Sequence, residues 1–335
     1  MKNKAVKFIQ NNATWVILII LYFLFCAISP NFGTVKNFIT ILRQTAVTGI
    51  AAVGFSIVLI SGGFDLSIGS QAAVSGMVCS LLLTKLAIPA IPAMIIAVVL
   101  TAVVFGLFNG GAIAVTGMPD LICTLGTMNI ARGVALLLNG GFTVYGLPEP
   151  AKILGQHSIG PIPICVIALV VSLILGDFIL RKTVFGRLLF AVGSNKEASR
   201  LSGVPVKTIK ILSYIVGGLF VCFAGVVLMS RNNSGIPTVG DGIYLEVLAG
   251  CIIGGISPAG GSGNTFKMLG GILIMSVISN GMNVAGISEF WQYISKGGIL
   301  VASVGIDSFR ALMASEKTGH MIKSAQKEHE TQAVS

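Results

Sequence analysis

Apolar residues gather into long runs along this chain, and polar residues gather between them. Ten runs can be drawn: 14–29, 41–61, 66–84, 91–116, 120–138, 160–180, 211–231, 243–257, 265–283 and 291–313. Most approach the roughly 20 apolar residues a helix needs to cross the ~30 Å hydrocarbon core of a bilayer. Several are short or broken by glycine, so eight spans with two re-entrant segments also fit. The pattern predicts an all-α polytopic membrane protein with about ten transmembrane helices.

One polar interruption is longer than the rest. Residues 181–210 hold Arg181, Lys182, Arg187, Lys196, Arg200, Lys207 and Lys210 against a single acid, Glu197. A basic loop between spans faces the cytoplasm. This one is long enough to carry a helix of its own, so it reads as a docking surface for a soluble partner. With ten spans and the N-terminus inside, Lys2, Lys4, Lys7, Lys267, Arg310, Lys317, Lys323 and Lys327 also fall on the cytoplasmic side. Lys36, Arg43, Lys85, Lys152, Arg231 and Lys296 fall outside, and Arg132 falls within a span. That asymmetry predicts N-in, C-in topology. The chain divides into a transmembrane domain, 1–313, containing the basic loop 181–210, and a polar cytoplasmic tail, 314–335.

Composition narrows the class. Of 335 residues, 54% are hydrophobic and only 10% charged, which no soluble domain of this length can bury. The 42 glycines suit close helix contact in lipid. The net charge of +10 lies in loops and termini, where it signals topology, so no nucleic-acid partner is expected. Cys26, Cys79, Cys123, Cys165, Cys222 and Cys251 all lie in apolar runs without a CxxC, and read as small buried hydrophobes. His157, His320 and His329 form no ligand spacing. Neither a phosphate loop GxxxxGK[ST] nor a nucleophile–base pair occurs, so no catalytic residues, metal or cofactor are expected. No small-residue cleavage site follows Trp15–Ile28, which reads as a retained first span.

Polar residues inside the apolar runs are the candidate chemistry. Gly62–Gly69 reads GGFDLSIG; Asp65 or Ser67 can cap the following helix or line a path. Thr124–Gly133 reads TLGTMNIARG and places Thr127, Asn129 and Arg132 on one span. Arg132 can snorkel at a span end or face the protein. Asn109, Asn280 and Asn283 read singly as interhelical hydrogen bonds and together as the lining of a pathway for a hydroxyl-rich solute. Glu246 sits at the rim of span eight, where it can line the path or pair with Arg231 or Arg132. Asp65 and Gly76, against Asp241 and Gly250, give a thin hint of an inverted repeat.

Taken in order, these motifs resemble the permease subunits of ribose-type carbohydrate ABC importers. The elements are Gly63-Phe64-Asp65-Leu66-Ser67-Ile68-Gly69-Ser70; Thr124 to Gly133; the loop pattern Gly186, Arg187, Ala191, Gly193, Asn195, Ala198, Arg200, Leu201, Ser202, Gly203; and Gly254 to Gly263. The resemblance runs through nearly the whole chain. It implies an architecture like that of cobalamin-type importers in a bacterial plasma membrane, with a second permease copy, identical or similar. ATP-binding subunits would sit on the cytoplasmic side and a solute-binding protein outside. The cargo would be a sugar such as ribose or a related monosaccharide. Asn195 to Leu201 would form the coupling helix, with Gly186, Arg187, Gly193, Asn195, Glu197, Arg200 and Gly203 serving the ATPase contact. Ser194, Ser199, Lys267 and Met268 depart from the family pattern. The rival reading is an ion-coupled secondary transporter using Asp65 and Glu246 as titrating carboxylates.

Overall fold

The computed structural model describes residues 12–305 and 309. The expected tail 314–335, the N-terminal cations Lys2, Lys4 and Lys7, and His320 and His329 lie outside the described residues. The protein is helical: α1 Ala13–Ile28, α2 Val35–Ile60, α3 Ile68–Thr84, α4 Ala90–Thr116, α5 Asp120–Leu137, α6 Glu149–Gln156, α7 Ile164–Lys182, α8 Val184–Ser194, α9 Lys196–Leu201, α10 Val206–Asn232, α11 Ile243–Ile253 and α12 Thr265–Val284. A further helix, α13, covers 289–305. Each of the ten apolar runs overlaps one of these helices. Six are long and apolar enough to cross a membrane: α2, α4, α5, α7, α10 and α12. The molecule is therefore a polytopic helical membrane protein.

Several boundaries differ from the sequence reading: α2 and α10 begin at Val35 and Val206 rather than at 41 and 211, and two others differ for local reasons. The run 160–180 begins with a hairpin, β1 Ser158–Ile159 against β2 Ile162–Pro163, turning at Gly160 with φ 60°. Pro161 and Pro163 keep the helix from starting before Ile164. The run 243–257 stops being helical at Ile253, because Gly255 takes φ 82°.

The core is built around α10, which packs on α2, α3 and α4. Small residues allow this. A methyl on Gly54 would collide with the Gly217 carbonyl, and one on Gly225 with the Ala72 carbonyl. Backbones so close gain dispersion contacts that larger side chains forbid. By contrast, α1 buries no residue and turns Ile19, Ile20 and Phe23 outward.

One packed stretch of the chain is not a continuous helix. The chain leaves α10 through Asn233, a left-handed residue with φ 54°. Gly235 then pairs with Val144 by two backbone bonds of 2.8 and 2.9 Å and packs on Met77 and Ser80. Gly240 packs on Gly69, at the start of α3. The irregular segment 233–242 thus runs down α3 for about 16 Å before α11 begins. With 11 residues, α11 is itself only about 16 Å long.

Candidate functional site

The irregular segment needs partners for its backbone, and α5 supplies them. Arg132 donates to the carbonyl of Pro237 at 2.5 Å and of Val239 at 3.0 Å, and pairs with Asp241 at 2.7 Å. The Asp241 side chain is 71% exposed, so the carbonyl bonds carry most of the anchoring. This is why an arginine stands on an apolar helix: it replaces hydrogen bonds that a continuous helix would have made itself. Arg132 faces the protein and does not snorkel.

Four of the residues singled out in the sequence form one buried network. Asp65 accepts from the Ser67 N–H at 2.9 Å, from the Ser67 hydroxyl, and from Gln71 Nε2 at 2.9 Å. Asn109 donates to Ser67 Oγ at 3.2 Å, and Thr127 donates to Asn109 Oδ1 at 2.5 Å. All four are at most 3% exposed. They tie α3, α4 and α5 together. Asp65 stands two residues before the Ser67 N-cap and serves that one N–H rather than the first turn of the helix. Gln71, unremarked in the sequence, is the hinge of this network. Asn129 stays outside it: exposed, it donates to the Leu125 carbonyl of its own helix at 3.0 Å.

A second group lines a cavity of about 220 Å³ between α2, α10, α11, α12 and α13. Glu246 pairs with Lys296 at 2.5 Å and accepts from Ser279 at 3.1 Å. The expected pairing of Glu246 with Arg231 or Arg132 is thereby corrected: Lys296 reaches across from α13, while Arg132 is engaged with the irregular segment. Asn283 lines the same cavity and accepts from Gln292 at 2.7 Å. Arg231, Gln44, Thr48 and Ser276 add to its polar wall, and the Gln44 amide oxygen is buried with no hydrogen-bond partner among the described residues. Asn280 is buried beyond this wall, its amide oxygen likewise unpartnered among the described residues. Gln44, Gln292 and Lys296 were invisible as site residues, since only packing brings α2 and α13 to α11.

At the other end of the molecule, three backbones cross. Gly193 at the end of α8 sits against Ile60 and Gly261, and a methyl there would collide with the Ile60 carbonyl and the Gly261 N–H. Gly261 N–H donates to Ile60 O at 2.9 Å. Gly193 is thus a close-contact glycine inside a helix, not a bend. The bend is Asn195, φ −157°, whose side chain caps α9 by accepting from Ala198 N–H at 2.9 Å. Gly203 does turn the chain, with φ 81°. Gly186 packs at the α7–α8 corner and donates to Thr183 Oγ1 at 3.0 Å. Arg187 is exposed. Glu197 and Arg200 pair on the exposed face of α9, and the guanidinium holds the Glu197 carboxyl below its usual range. Beside this junction, Asp120 accepts from Lys210 at 2.8 Å, Tyr214 at 3.1 Å and the Phe64 N–H at 3.2 Å.

Comparison with known proteins decides the family. The family described as branched-chain amino acid transport system / permease component matches residues 37–304. This chain belongs to that permease family. The permease is 34% identical over 299 residues to the ribose import permease protein RbsC of Escherichia coli strain K12, covering 88% of this chain and 92% of the relative. It is 36% identical over 302 residues to the L-arabinose ABC transporter permease protein AraH of Azospirillum brasilense, covering 89% and 88%. It is 33% identical over 327 residues to the galactose/methyl galactoside import permease protein MglC of Haemophilus influenzae, covering 92% and 97%. No solved structure matches the permease. The six cysteines of the permease are unbonded, and all but Cys26 are buried.

Proposed function

We propose that this chain is the transmembrane permease of an ATP-binding-cassette importer in a bacterial plasma membrane, and that it forms the path for a monosaccharide. The observation that carries the reading is the broken traverse 233–253 with a polar cavity beside α11. Irregular backbone is tolerated at membrane depth only where it is buried in protein or lines a water-filled space. In transporters such breaks mark the solute path. The cavity offers what hydroxyls need, donors and acceptors together: Ser279, Asn283, Gln292, and the Glu246–Lys296 pair. Family membership disfavours the ion-coupled carrier, and Asp65 is 3% exposed within its network. Asp65, Ser67, Asn109 and Thr127 support the path as the joint that holds α3, α4 and α5 in register.

In this reading the chain crosses the membrane ten times with both ends inside. Four of the crossings use the shorter elements α1, α3, α13 and the broken traverse. The plan is that of cobalamin-type importers, and the inverted repeat remains a proposal resting on Asp65 and Asp241. ATP-binding subunits grip α9, a solute-binding protein docks outside, and a second permease copy completes the pore. Motion of α9 passes through the Gly193 contact to the base of α2 and to the 257–263 loop. The same backbone contact makes that transmission stiff.

The test is reconstitution in liposomes with the partner ATPase and binding protein, following labelled ribose, arabinose and galactose. ATP-dependent accumulation of at least one is expected. Single cysteines at Ser279 and Asn283, in a background lacking the native six, should react with an aqueous thiol reagent and be protected by the cargo. Accumulation without ATP, or inert cysteines in every nucleotide state, would reject the reading.

A further inference from the structure

A cavity of about 370 Å³ lies at the α9 end, between the α4–α5 turn, the Gly62 turn, the end of α8 and the start of α10. Its volume is that of a small-molecule site. Its charges do not balance. Lys196, Lys207 and Lys210 line it with one carboxylate, Asp120. Asp120 is already committed to Lys210, Tyr214 and the Phe64 N–H. Lys210 also donates to the Gly62 carbonyl at 3.0 Å. Lys196 and Lys210 line the same cavity. Glu197, next to Lys196 on α9, is held by Arg200. Among the described residues neither Lys196 nor Lys207 makes an ion pair within 4 Å.

We infer that this cavity binds a phosphate group. Two unpaired ammonium groups at the mouth of a concave polar site, with a third inside, are the point-charge arrangement by which lysines hold phosphate. Two sources share the chemistry: a soluble phosphomonoester, such as a sugar phosphorylated after entry, and the headgroup of an anionic phospholipid. Either one bridges α9 to α10. Lys196 lies on the coupling helix and Lys207 on the central helix, so a bound phosphate restrains one against the other. The consequence is slower ATP-driven uptake when the phosphate is present. This rests on the reading that α9 is the coupling helix.

The experiment reads binding separately from transport. The full permease is placed in phosphatidylcholine nanodiscs and treated with an amine-reactive reagent, with and without inorganic phosphate or glucose 6-phosphate. Protection of Lys196 and Lys207, but not of the exposed Lys36, is expected. K196Q/K207Q should lose radiolabelled phosphate binding by roughly tenfold per lysine, the scale of a charge-assisted hydrogen bond. In the complete transporter, uptake by the double variant, measured relative to its own phosphate-free rate, should no longer be inhibited by phosphate. Protection by phosphatidylglycerol nanodiscs alone identifies the lipid headgroup as the source. No protection by either source, or equal phosphate binding in the double variant, overturns the inference. So does protection of both lysines by the ATPase alone, since the cavity is then a subunit interface. Failure of binding leaves sugar uptake untouched, so it is distinguishable from failure of the transport reading.

Discussion

Replacing Arg132 separates two contributions that stand side by side in the structure. Arg132→Met keeps the side-chain volume and removes the guanidinium. Two carbonyls of the irregular segment, at Pro237 and Val239, then lose a charged donor. Hydrogen bonds to charged groups contribute about 1.5–3 kcal/mol each, so the loss is about 3–6 kcal/mol. Asp241→Asn removes only the ion pair, whose acidic partner is 71% exposed. Pairs of that kind contribute about 0–1 kcal/mol. Arg132→Lys should fall between, since one ammonium on a differently shaped side chain must then serve both carbonyls, which Nη1 alone serves in the wild type, as well as Asp241, which takes Nη2. The assay is reversible unfolding in mixed micelles, read by circular dichroism, with uptake measured in parallel. The expected order is wild type, D241N, R132K, R132M, with D241N close to wild type and R132M far from it. Equal destabilisation in R132M and D241N would refute the reasoning, because the ion pair rather than the carbonyl bonds would then be the anchor.

Three further outcomes follow from named contacts. Gly193→Ala puts a methyl into the Ile60 carbonyl and should abolish ATP-driven uptake, while Gly203→Asn, at a left-handed φ of 81° that asparagine tolerates, should preserve it. Asp65→Asn should keep substantial, ATP-dependent uptake, because the Gln71 amide can flip and offer the new amide its oxygen, which has no partner among the described residues; Asp65→Leu, which has no acceptor for the Ser67 N–H, should lower folded yield severalfold in detergent. Glu197→Lys breaks the pair with Arg200 and should reduce ATPase co-purification without changing membrane insertion. Since Arg200 holds the Glu197 carboxyl below its usual range, that pair persists at neutral and mildly acidic pH and is lost only as pH falls through the lowered value. ATPase binding should therefore be flat from pH 8 to about 6, well above the ordinary glutamate pKa of about 4.3.

Long apolar runs made the helices legible, because burying that much apolar surface leaves a chain few alternatives to membrane helices. The α9 helix was legible from the family resemblance, which implied a coupling helix from Asn195 to Leu201, and its Asn195 cap became visible only in the structure. The site was legible residue by residue and not as a constellation. Thr127 and Asn129 stand two positions apart on a helix, about 200° around its axis, so they cannot share a lining. Asn109 belongs with Thr127 only because α4 packs on α5. Lys296 reads in sequence as a topology charge, and becomes the partner of Glu246 only once α13 folds back over α11. Asp120 looks like an ordinary first-turn acid, yet it holds the Gly62–Phe64 turn against α10. Around the Gly62–Phe64 turn, such links join residues as far as 150 positions apart, as when the Tyr214 hydroxyl donates to the Phe64 carbonyl, and hydropathy carries no information about them.

The broken traverse bears on how the protein is made. A membrane insertion channel partitions each segment by its own hydropathy. The stretch 233–242, with Asn233, Ser234, Pro237, Gly240 and Asp241, carries too little apolar surface to enter lipid unaided. Synthesis order resolves this: α3, whose groove receives Gly235 and Gly240, and α5, which carries Arg132, both emerge before it. The segment enters a slot that earlier helices have already built. With the topology proposed above, insertion of this segment is templated, and a lesion in α5 or α3 should appear first as its misplacement, roughly 100 residues downstream of Arg132 and roughly 160 downstream of α3.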